Sequence, residues 1–377
     1  MKKKILYIVN VDWFFDSHRF DLAKATKKNG FDVHILLNIT SEKIVEKFKN
    51  AGFSVYPMKS QRGQHGVFSL LEHIYKYWKI MYELKPEVVH FITMKPIILG
   101  GLVSRLFNFH SVFAITGLGP AFSDGKGFIA FKRSIFKKLL KLSLCTADEV
   151  IVQNEGDKKF IRMLIGDISK TKINLIKGSG VSMQKFFPNK EQKSTCFTIV
   201  SSGRFLKQKG FHELVMACKR LRAKGYVFTL SIYGWIDKGN KDHITQNVLD
   251  QWRENRHVDK LEKVDDVAPI LREASIFVLA SYYGEGLPRS IIEAQASGLP
   301  VITTSIPGCI DSIHDGITGD IVPPKDICAL EKAIESFILS KEKLEMMSYE
   351  ARRFAVSEYS IESVIKKHQI IYNRGIK

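Results

Sequence analysis

Short runs of apolar, β-branched residues alternate with helical stretches along the chain, and this alternation limits its fold more than any other feature. Strands that alternate with helices build a parallel sheet covered on both faces, so each series predicts one α/β domain. A second series begins at Phe197. The sequence therefore predicts an α/β fold of two doubly wound, Rossmann-like domains facing a central cleft, into which the carboxyl ends of the strands point. The strands of the first series are predicted near residues 5–10, 33–38, 53–57, 88–92, 112–115, 150–153 and 173–177.

The length of the chain agrees with two domains, because 377 residues exceed what one hydrophobic core usually supports. We expect the N-terminal domain at 1–177 and the C-terminal domain at 193–360. Residues 178–192 are rich in Gly, Ser, Lys and Pro and have no sustained period, so they are predicted to form the linker. Residues 361–377 are predicted to contain a final helix.

The segment 281–300 carries the strongest chemical signal, because it sets two glutamates on either side of a predicted helix start. Pro288 stands where a first helical turn tolerates proline, after a buried strand and a loop. A helix N-terminus offers backbone N–H groups and a positive dipole end to a diphosphate. Glu285 before the helix and Glu293 about two turns later suit sugar hydroxyls at opposite ends of one ligand. The segment therefore predicts a nucleotide-sugar site.

Two cations strengthen this interpretation. Gly203 and Arg204 end the strand that begins near Phe197, and Lys209 follows five residues after the arginine. Cations at a strand end suit a pyrophosphate leaving group, whose charge develops as its bond to the sugar breaks. The alternative is that both are solvated loop charges.

These motifs resemble those of the retaining glycosyltransferases of family 4, which have the two-domain GT-B fold. In its segment 116–119, Thr-Gly-Leu-Gly, the chain resembles relatives that build bacterial surface polysaccharides such as capsule, O-antigen and lipopolysaccharide. The resemblance spans nearly the whole chain and rests on several ordered motifs. These are 178–181, 203–204 with 209–210, 265–267, 274–279, 285–288 with 293–294, 298–302 and 308–319.

The resemblance implies a role for each matching residue. Arg204 and Lys209 would neutralise the donor diphosphate, Glu293 would hold the ribose hydroxyls and Glu285 would face the transferred sugar. Such enzymes are usually thought to retain the anomeric configuration by front-face attack without a metal or other cofactor, and their final helix packs back on the N-terminal domain. The donor contacts are expected to be completed by Gly203, Gly286, Leu287 and Pro288.

The N-terminal domain departs from the family pattern in two places. The loop predicted after the first strand, 11–18, lacks paired glycines, so Asp16 and His18 become candidate acceptor or phosphate contacts. Where many relatives have a histidine, this chain has Thr116 and Gly117, which must substitute for it. The alternatives are that Asp16 caps a helix beginning at Ser17 and that His18 is a packed bystander. His90, near another strand end, is open to the same two interpretations as His18.

Net charge differs strongly between the two halves. Residues 1–190 contain 31 Lys and Arg and 15 Asp and Glu, whereas 191–377 contain 26 and 24. The excess predicts that the first half meets an anionic partner, a membrane surface or nucleic acid. The basic, apolar segment 128–141 suits an anionic bilayer or an ordinary half-buried helix equally well, whereas core packing is expected for 68–82.

Targeting features are weak. No apolar run reaches the length that spans a bilayer, and no secretory signal is recognised at the N-terminus. Five scattered cysteines show no metal or redox spacing. We expect a cytoplasmic protein that is peripheral to the inner face of the cell membrane.

The sequence thus predicts a retaining, metal-independent glycosyltransferase. It would move a hexose or N-acetylhexosamine from a UDP-sugar, bound by the second domain, to a polyprenyl-diphosphate-linked glycan, bound by the first. One alternative is a sugar-nucleotide epimerase of the same architecture, which would carry additional catalytic acids and histidines. A phosphorylase would need a longer chain. The second alternative is a basic nucleic-acid-binding protein. The sequence contains no recognisable nucleic-acid-binding motif, so no nucleic acid is expected as a partner.

Overall fold

The chain divides into two compact units. Unit 1 consists of Met1–Ser179 and Ile361–Lys377, and unit 2 consists of Gly180–Ser360. The computed structural model describes residues 2–58, 67–118, 128–166, 170–189 and 196–376, and for 67, 68 and 128–132 it describes the backbone alone.

Unit 1 contains a seven-stranded parallel sheet within its described residues, in the order β3-β2-β1-β4-β5-β6-β7. Its order reverses at β1, which lies between β2 and β4. The strands are β1 (Lys3–Val11), β2 (Phe31–Asn38), β3 (Ser54–Met58), β4 (Val88–Ile92), β5 (His110–Ala114), β6 (Glu149–Val152) and β7 (Lys172–Leu175). The helices that connect them are α1 (Asp12–Lys28), α2 (Glu42–Asn50), α3 (Val67–Leu84), α4 (Met94–Ser104), α5 (Phe128–Leu144) and α6 (Glu155–Ile165).

Both faces of this sheet are buried, which explains the continuous apolar runs in its strands. On β1, Leu6 and Ile8 join a core that includes residues of α3, α4 and α5. Ile5 and Tyr7, which alternate with them, join a second core that includes residues of α1. The strand period of two therefore divides one apolar run between two helical layers.

The predicted loop at 11–18 is wrong, because α1 begins directly at Asp12. The Asp12 carboxylate is fully buried and accepts hydrogen bonds from the backbone N–H groups of Thr40 (2.7 Å) and Ser41 (2.8 Å). It also accepts one from the backbone N–H of Trp13 at 2.8 Å. The aspartate ties the start of α1 to the chain that follows β2, a contact between distant residues that no local pattern reveals.

Unit 2 contains a six-stranded parallel sheet in its described part, in the order β10-β9-β8-β11-β12-β13. Its order reverses at β8. The strands are β8 (Thr198–Arg204), β9 (Thr229–Trp235), β10 (Lys260–Glu262), β11 (Ile276–Leu279), β12 (Val301–Thr304) and β13 (Gly319–Val322). The helices are α7 (Phe211–Ala223), α8 (Gln246–Glu254), α9 (Ala268–Glu273), α10 (Arg289–Ala296), α11 (Ile327–Leu339) and α12 (Lys341–Tyr359).

The segment predicted as a linker, 178–192, belongs in part to the body of unit 2. Val181 and Phe186 are buried in the same core as residues of α10. The backbone N–H of Val181 donates to the carbonyl oxygen of Tyr359 at 2.9 Å. The segment differs from the predicted linker because Val181 and Phe186 are large apolar side chains, and burying them outweighs the local preference for an irregular connection.

Helix α13 (Ile361–Arg374) belongs to unit 1. Its Tyr372 hydroxyl lies 2.8 Å from Nδ1 of His90 on β4 and 3.4 Å from the hydroxyl of Tyr7 on β1. His368, one turn earlier, lies 5.9 Å from His90 between ring centroids, and Arg19 of α1 is buried beside them. These five residues form a buried polar cluster beneath α13. His90 is therefore part of the packing of unit 1, and its interpretation as a ligand contact is wrong.

None of the helices in the described ranges has the length and the hydropathy needed to traverse a bilayer.

Candidate active site

Arg204 ends β8, where the strand order of unit 2 reverses. Open α/β sheets bind ligands at the carboxyl ends of strands at such a point. Nη1 of Arg204 lies 3.0 Å from Oδ2 of Asp237, whose side chain is only 4% exposed. The buried carboxylate therefore holds the guanidinium at this edge of the sheet.

Lys209 and Glu285 meet at the same edge, although 76 positions separate them. Nζ of Lys209 lies 2.5 Å from Oε1 of Glu285, and the hydroxyl of Ser281 donates to the same oxygen at 3.1 Å. Both charged side chains are largely buried. Desolvation strengthens the attraction between them, so each fixes the position of the other.

Two glycines bring the loops of this site close together. Gly210, with φ of +73°, directly precedes α7, and a Cβ added to it would lie 1.9 Å from the carbonyl oxygen of Ala280. A Cβ on Gly308 would lie 2.3 Å from the carbonyl oxygens of Glu285 and Gly286. The segments after β8, β11 and β12 therefore approach backbone to backbone, which only glycine allows.

Helix α10 begins after Pro288 and carries Glu293 two turns from the loop of Glu285. Nε of Arg289 donates to Oε1 of Glu293 at 2.7 Å, and both side chains are mostly buried. The loop residues Gly286 and Leu287 are themselves buried. The side chain of Glu293 is thus held in position by Arg289, a cation that belongs to none of the recognised motifs.

The charges of Arg204 and Glu285 both act on Tyr283. Burial, with a contribution from the Glu285 charge, raises the pKa of the tyrosine to about 12, whereas the Arg204 charge acts in the opposite direction. Both charges therefore lie within electrostatic range of one phenol. The site combines two fixed cations with carboxylates that hold them, an arrangement suited to a diphosphate that carries a sugar. No three His, Cys, Asp or Glu side chains of the described residues cluster as metal ligands would.

Models of glycosyltransferase families match both units. The family described as "Glycosyl transferases group 1" matches residues 182–354, and "Glycosyl transferase 4-like" matches 4–154. The chain is a glycosyltransferase with one 4-like and one group 1 domain. This confirms the glycosyltransferase family predicted from the motifs.

Curated relatives of this glycosyltransferase include several bacterial sugar transferases. It is 26% identical to the capsular polysaccharide biosynthesis glycosyltransferase CapM of Staphylococcus aureus, over 100% of this chain and 98% of the relative. It is 25% identical to the N,N'-diacetylbacillosaminyl-diphospho-undecaprenol α-1,3-N-acetylgalactosaminyltransferase of Campylobacter jejuni, over 95% of each chain. A UDP-Gal:α-D-GlcNAc-diphosphoundecaprenol α-1,3-galactosyltransferase of Escherichia coli is 26% identical, over 78% of this chain and 77% of the relative.

Solved structures confirm the fold of the glycosyltransferase. Sucrose-phosphate synthase from Thermosynechococcus elongatus superposes with a TM-score of 0.82 at 18% identity, over 99% of each chain. Anabaena HepE in complex with UDP and glucose superposes with a TM-score of 0.79 at 16% identity, over 99% of this chain and all of that one. Two parallel-sheet, Rossmann-like domains of the GT-B type are therefore present, as the sequence predicted.

In unit 1 of the glycosyltransferase, the acceptor candidates Asp16 and His18 lie on α1 and not in a loop. Oδ1 of Asp16 accepts from Nζ of Lys47 at 2.6 Å. The ring of His18 stacks on Phe14 with 4.2 Å between centroids, and its Nδ1 lies 2.6 Å from the hydroxyl of Ser17. Both side chains have structural partners, and an acceptor contact for them stays a prediction.

Thr116 and Gly117 follow β5 at the carboxyl edge of the sheet. Gly117 has φ of +126°, a conformation open chiefly to glycine, so it permits a turn here. Their role as contacts for an acceptor or a phosphate also stays a prediction.

Lys95, which belongs to none of the recognised motifs, follows β4 where the strand order of unit 1 reverses. Its half-buried Nζ lies 3.1 Å from Nε2 of His73, and burial lowers the pKa of the lysine. Thr93, two residues earlier, has φ of +73°, a strained value for a residue with a β-branched side chain. The sequence signal was a lysine between a buried strand and Pro96. Arg204 and Lys209 were predicted from the same kind of signal, a cation at or shortly after the end of a buried strand.

Proposed function

We propose that the enzyme transfers a hexose or N-acetylhexosamine from a UDP-sugar to a polyprenyl-diphosphate-linked glycan, with retention of anomeric configuration and without a metal ion. The observation that carries this proposal is the Lys209–Glu285 pair at the strand reversal of unit 2, within range of Arg204. The names of the Campylobacter jejuni and Escherichia coli relatives, which both specify a diphospho-undecaprenol acceptor, support the acceptor class. UDP is supported by the Escherichia coli relative and by the ligand of Anabaena HepE.

In the proposed reaction, the bond from C1 of the sugar to the β-phosphate oxygen breaks, and an acceptor hydroxyl oxygen bonds to C1 on the same face. The electron pair of the broken bond stays on the diphosphate, which takes the proton of the hydroxyl. Arg204 and Lys209 stabilise the charge that develops on the diphosphate, and Glu285 positions Lys209 and faces the sugar. Glu293 binds the ribose hydroxyls. Because the cations are fixed by carboxylates, little reorganisation is needed as this charge grows.

The site of action follows from the acceptor. A lipid-linked glycan is held in a membrane, so we propose that the enzyme works as a peripheral protein at the cytoplasmic face. The excess of Lys and Arg in residues 1–190 favours contact with an anionic surface.

UDP is expected to stabilise the protein in the presence of EDTA. At a concentration of about 100 times its dissociation constant, it should raise the free energy of unfolding by about 2.7 kcal/mol, measured as a higher melting temperature. Glu293→Gln should reduce this shift, whereas Glu254→Gln, which changes an exposed glutamate of α8, should leave it unchanged. A shift that requires Mg²⁺ would contradict metal independence, and no shift with any nucleoside diphosphate would contradict the donor site.

On the acceptor side, Lys95 provides a half-buried cation at the strand reversal of unit 1. Lys95→Met should raise KM for a lipid-diphosphate acceptor about tenfold, corresponding to about 1.4 kcal/mol, and leave KM for the donor unchanged. Lys159→Met, which removes an exposed lysine of α6, is the matched control. Equal acceptor KM values in the two variants would exclude Lys95 from the acceptor site.

A further inference from the structure

Helix α3 has two apolar faces, which is unusual for a helix on the outside of a domain. Tyr77, Ile80 and Met81 are buried in the core of unit 1, as core packing of 68–82 required. The opposite face exposes Tyr75 (58%), Trp78 (38%) and Tyr82 (59%). The prediction for this segment was therefore right for one face and wrong for the other.

The exposed aromatic rings form a continuous stack along the helix. The rings of Tyr75 and Trp78 lie 6.2 Å apart with 26° between their planes, and those of Trp78 and Tyr82 lie 5.3 Å apart with 13°. We call Tyr75, Trp78 and Tyr82 the aromatic ridge. Tyr and Trp combine a large apolar ring with a polar group, which suits the boundary between hydrocarbon and water.

Beside the ridge, an apolar groove of about 340 Å³ runs between α3 and α4. Its outer walls include Leu71 (56% exposed) and Leu106 (70% exposed). Contiguous exposed apolar surface of this kind marks a site of association, because leaving it in water is unfavourable. The groove is lined by Leu71, Ile74, Tyr75, Trp78, Leu102, Val103 and Leu106.

The net charge around this surface is positive. On α3, Lys76 and Lys79 are paired with Glu72 and Glu83. Helix α4 and helix α5, which packs against it, contain no acidic residue. Described cations on or directly after these two helices are Lys95, Arg105, Arg133, Lys137, Lys138 and Lys141.

We propose that the aromatic ridge and the groove dock on an anionic lipid bilayer, with Trp78 at the level of the headgroups and the basic side chains of α5 facing lipid phosphates. This inference rests on the proposed function, which requires access to a lipid-linked acceptor, and it assigns the membrane contact to α3 and α4. Each basic residue near an anionic surface contributes roughly 1 kcal/mol, and the apolar ridge adds burial of hydrocarbon-like surface. Binding is reversible and weakens as salt screens the charges.

Segment 128–141, expected from the sequence to lie either on a bilayer or in the core, takes a supporting role. In its described part, Leu140 is buried and Phe136 packs against the core, whereas Ile135 is exposed beside Lys138. The residues 128–132 lie outside the described side chains. The helix thus supplies positive charge beside a surface whose aromatic rings lie on α3 and whose groove is formed with α4.

The test is sedimentation of the full chain with vesicles of phosphatidylcholine alone and with added phosphatidylglycerol. The wild type should bind the anionic vesicles at least tenfold more tightly than the neutral ones. The double variant Tyr75→Ser with Trp78→Ser should lose at least fivefold in partition coefficient on anionic vesicles. Tyr349→Ser, which removes a tyrosine of unit 2 that is 68% exposed, is the matched control and should bind as the wild type does.

Leu106→Gln on the groove wall is a second variant, and its partition coefficient should fall in the same direction. Equal binding of the wild type and both ridge and groove variants would overturn the inference. So would a wild-type dimer that the double variant converts to monomer without a change in vesicle binding, because the surface would then join two copies of the chain. Salt-sensitive binding to RNA that the double variant loses, with no vesicle binding by the wild type, would also overturn it.

Transfer assays separate this inference from the proposed function. If the docking surface is correct, the double variant should lose activity toward acceptor in anionic vesicles and keep activity toward a short-chain, water-soluble acceptor. A wild type that binds vesicles through the ridge but transfers sugar to no lipid-linked acceptor would contradict the proposed function alone. If the double variant transfers sugar to both acceptors at the same rate as the wild type, that result would contradict the docking surface alone.

Discussion

Lys209→Met is expected to lower kcat by about 10²–10³-fold, the usual effect of removing one group that stabilises charge in a transition state. The lysine ammonium lies 2.5 Å from Glu285 in a largely buried pair, so it is positioned before the donor diphosphate begins to leave. Its attraction to the diphosphate grows as the bond to the sugar breaks, and the loss should therefore fall mainly on kcat. Steady-state kinetics with a UDP-sugar and a lipid-linked acceptor would measure it.

Lys207→Met is the matched control, because Lys207 lies in the same short 3-10 helix and is exposed. The two variants make the same change in net charge, so a general electrostatic effect would appear in both. Lys209→Met also leaves the Glu285 carboxylate without its ion-pair partner, and melting curves in the absence of donor would report that separate loss of stability. Similar kcat values in the two variants would contradict the proposed role of Lys209.

Acid is expected to destabilise unit 1 through the two histidines of the buried polar cluster. Burial lowers the pKa of His368 to about 3 and that of His90 well below its ordinary value. A histidine that stays neutral when folded but takes up a proton when unfolded contributes its full stability above pH 6.5. That stability falls as the pH drops from about 6.5 toward the folded pKa. At pH 5, His368 alone should lower the free energy of unfolding by about 2 kcal/mol relative to pH 7.5, and His90 acts in the same direction.

The groups that face these histidines reinforce the effect. Arg19 of α1 adds a positive charge that disfavours a second one, and Tyr7 and Tyr372 offer hydroxyl groups but no negative charge at these pH values. Urea unfolding at pH 7.5 and pH 5 would measure the difference. Replacing His90 and His368 together by glutamine should shrink it, whereas His212→Gln, at an exposed position, should not. The same pH dependence in all three proteins would contradict this assignment.

The sequence predicted the two sheets because buried parallel strands are continuous apolar runs, which local composition reveals. It also named Lys209 and Glu285, which the structure brings into contact, because each belongs to a short motif beside a strand. Asp237 escaped notice, since its link to Arg204 joins the end of β8 to the loop after β9, 33 positions further along the chain.

Other differences have the same physical origin. The start of α1 at Asp12 depends on hydrogen bonds from Thr40 and Ser41, which the local sequence does not encode. The exposed residues Tyr75 and Trp78 are aromatic like the buried Tyr77, so composition alone could not separate the two faces of α3. Long-range partners decided each of these cases.

The membership of α13 in unit 1 has a consequence for synthesis on the ribosome. Domains fold as they emerge, yet unit 1 is split in the chain, and all of unit 2 is translated before the helix that covers Tyr7 and His90. We therefore expect the nascent polypeptide to complete unit 2 first. Unit 1 is completed only when residues 361–374 leave the exit tunnel. A truncated translation product would therefore keep the fold of unit 2, while the core of unit 1 that α13 covers would be exposed to proteases.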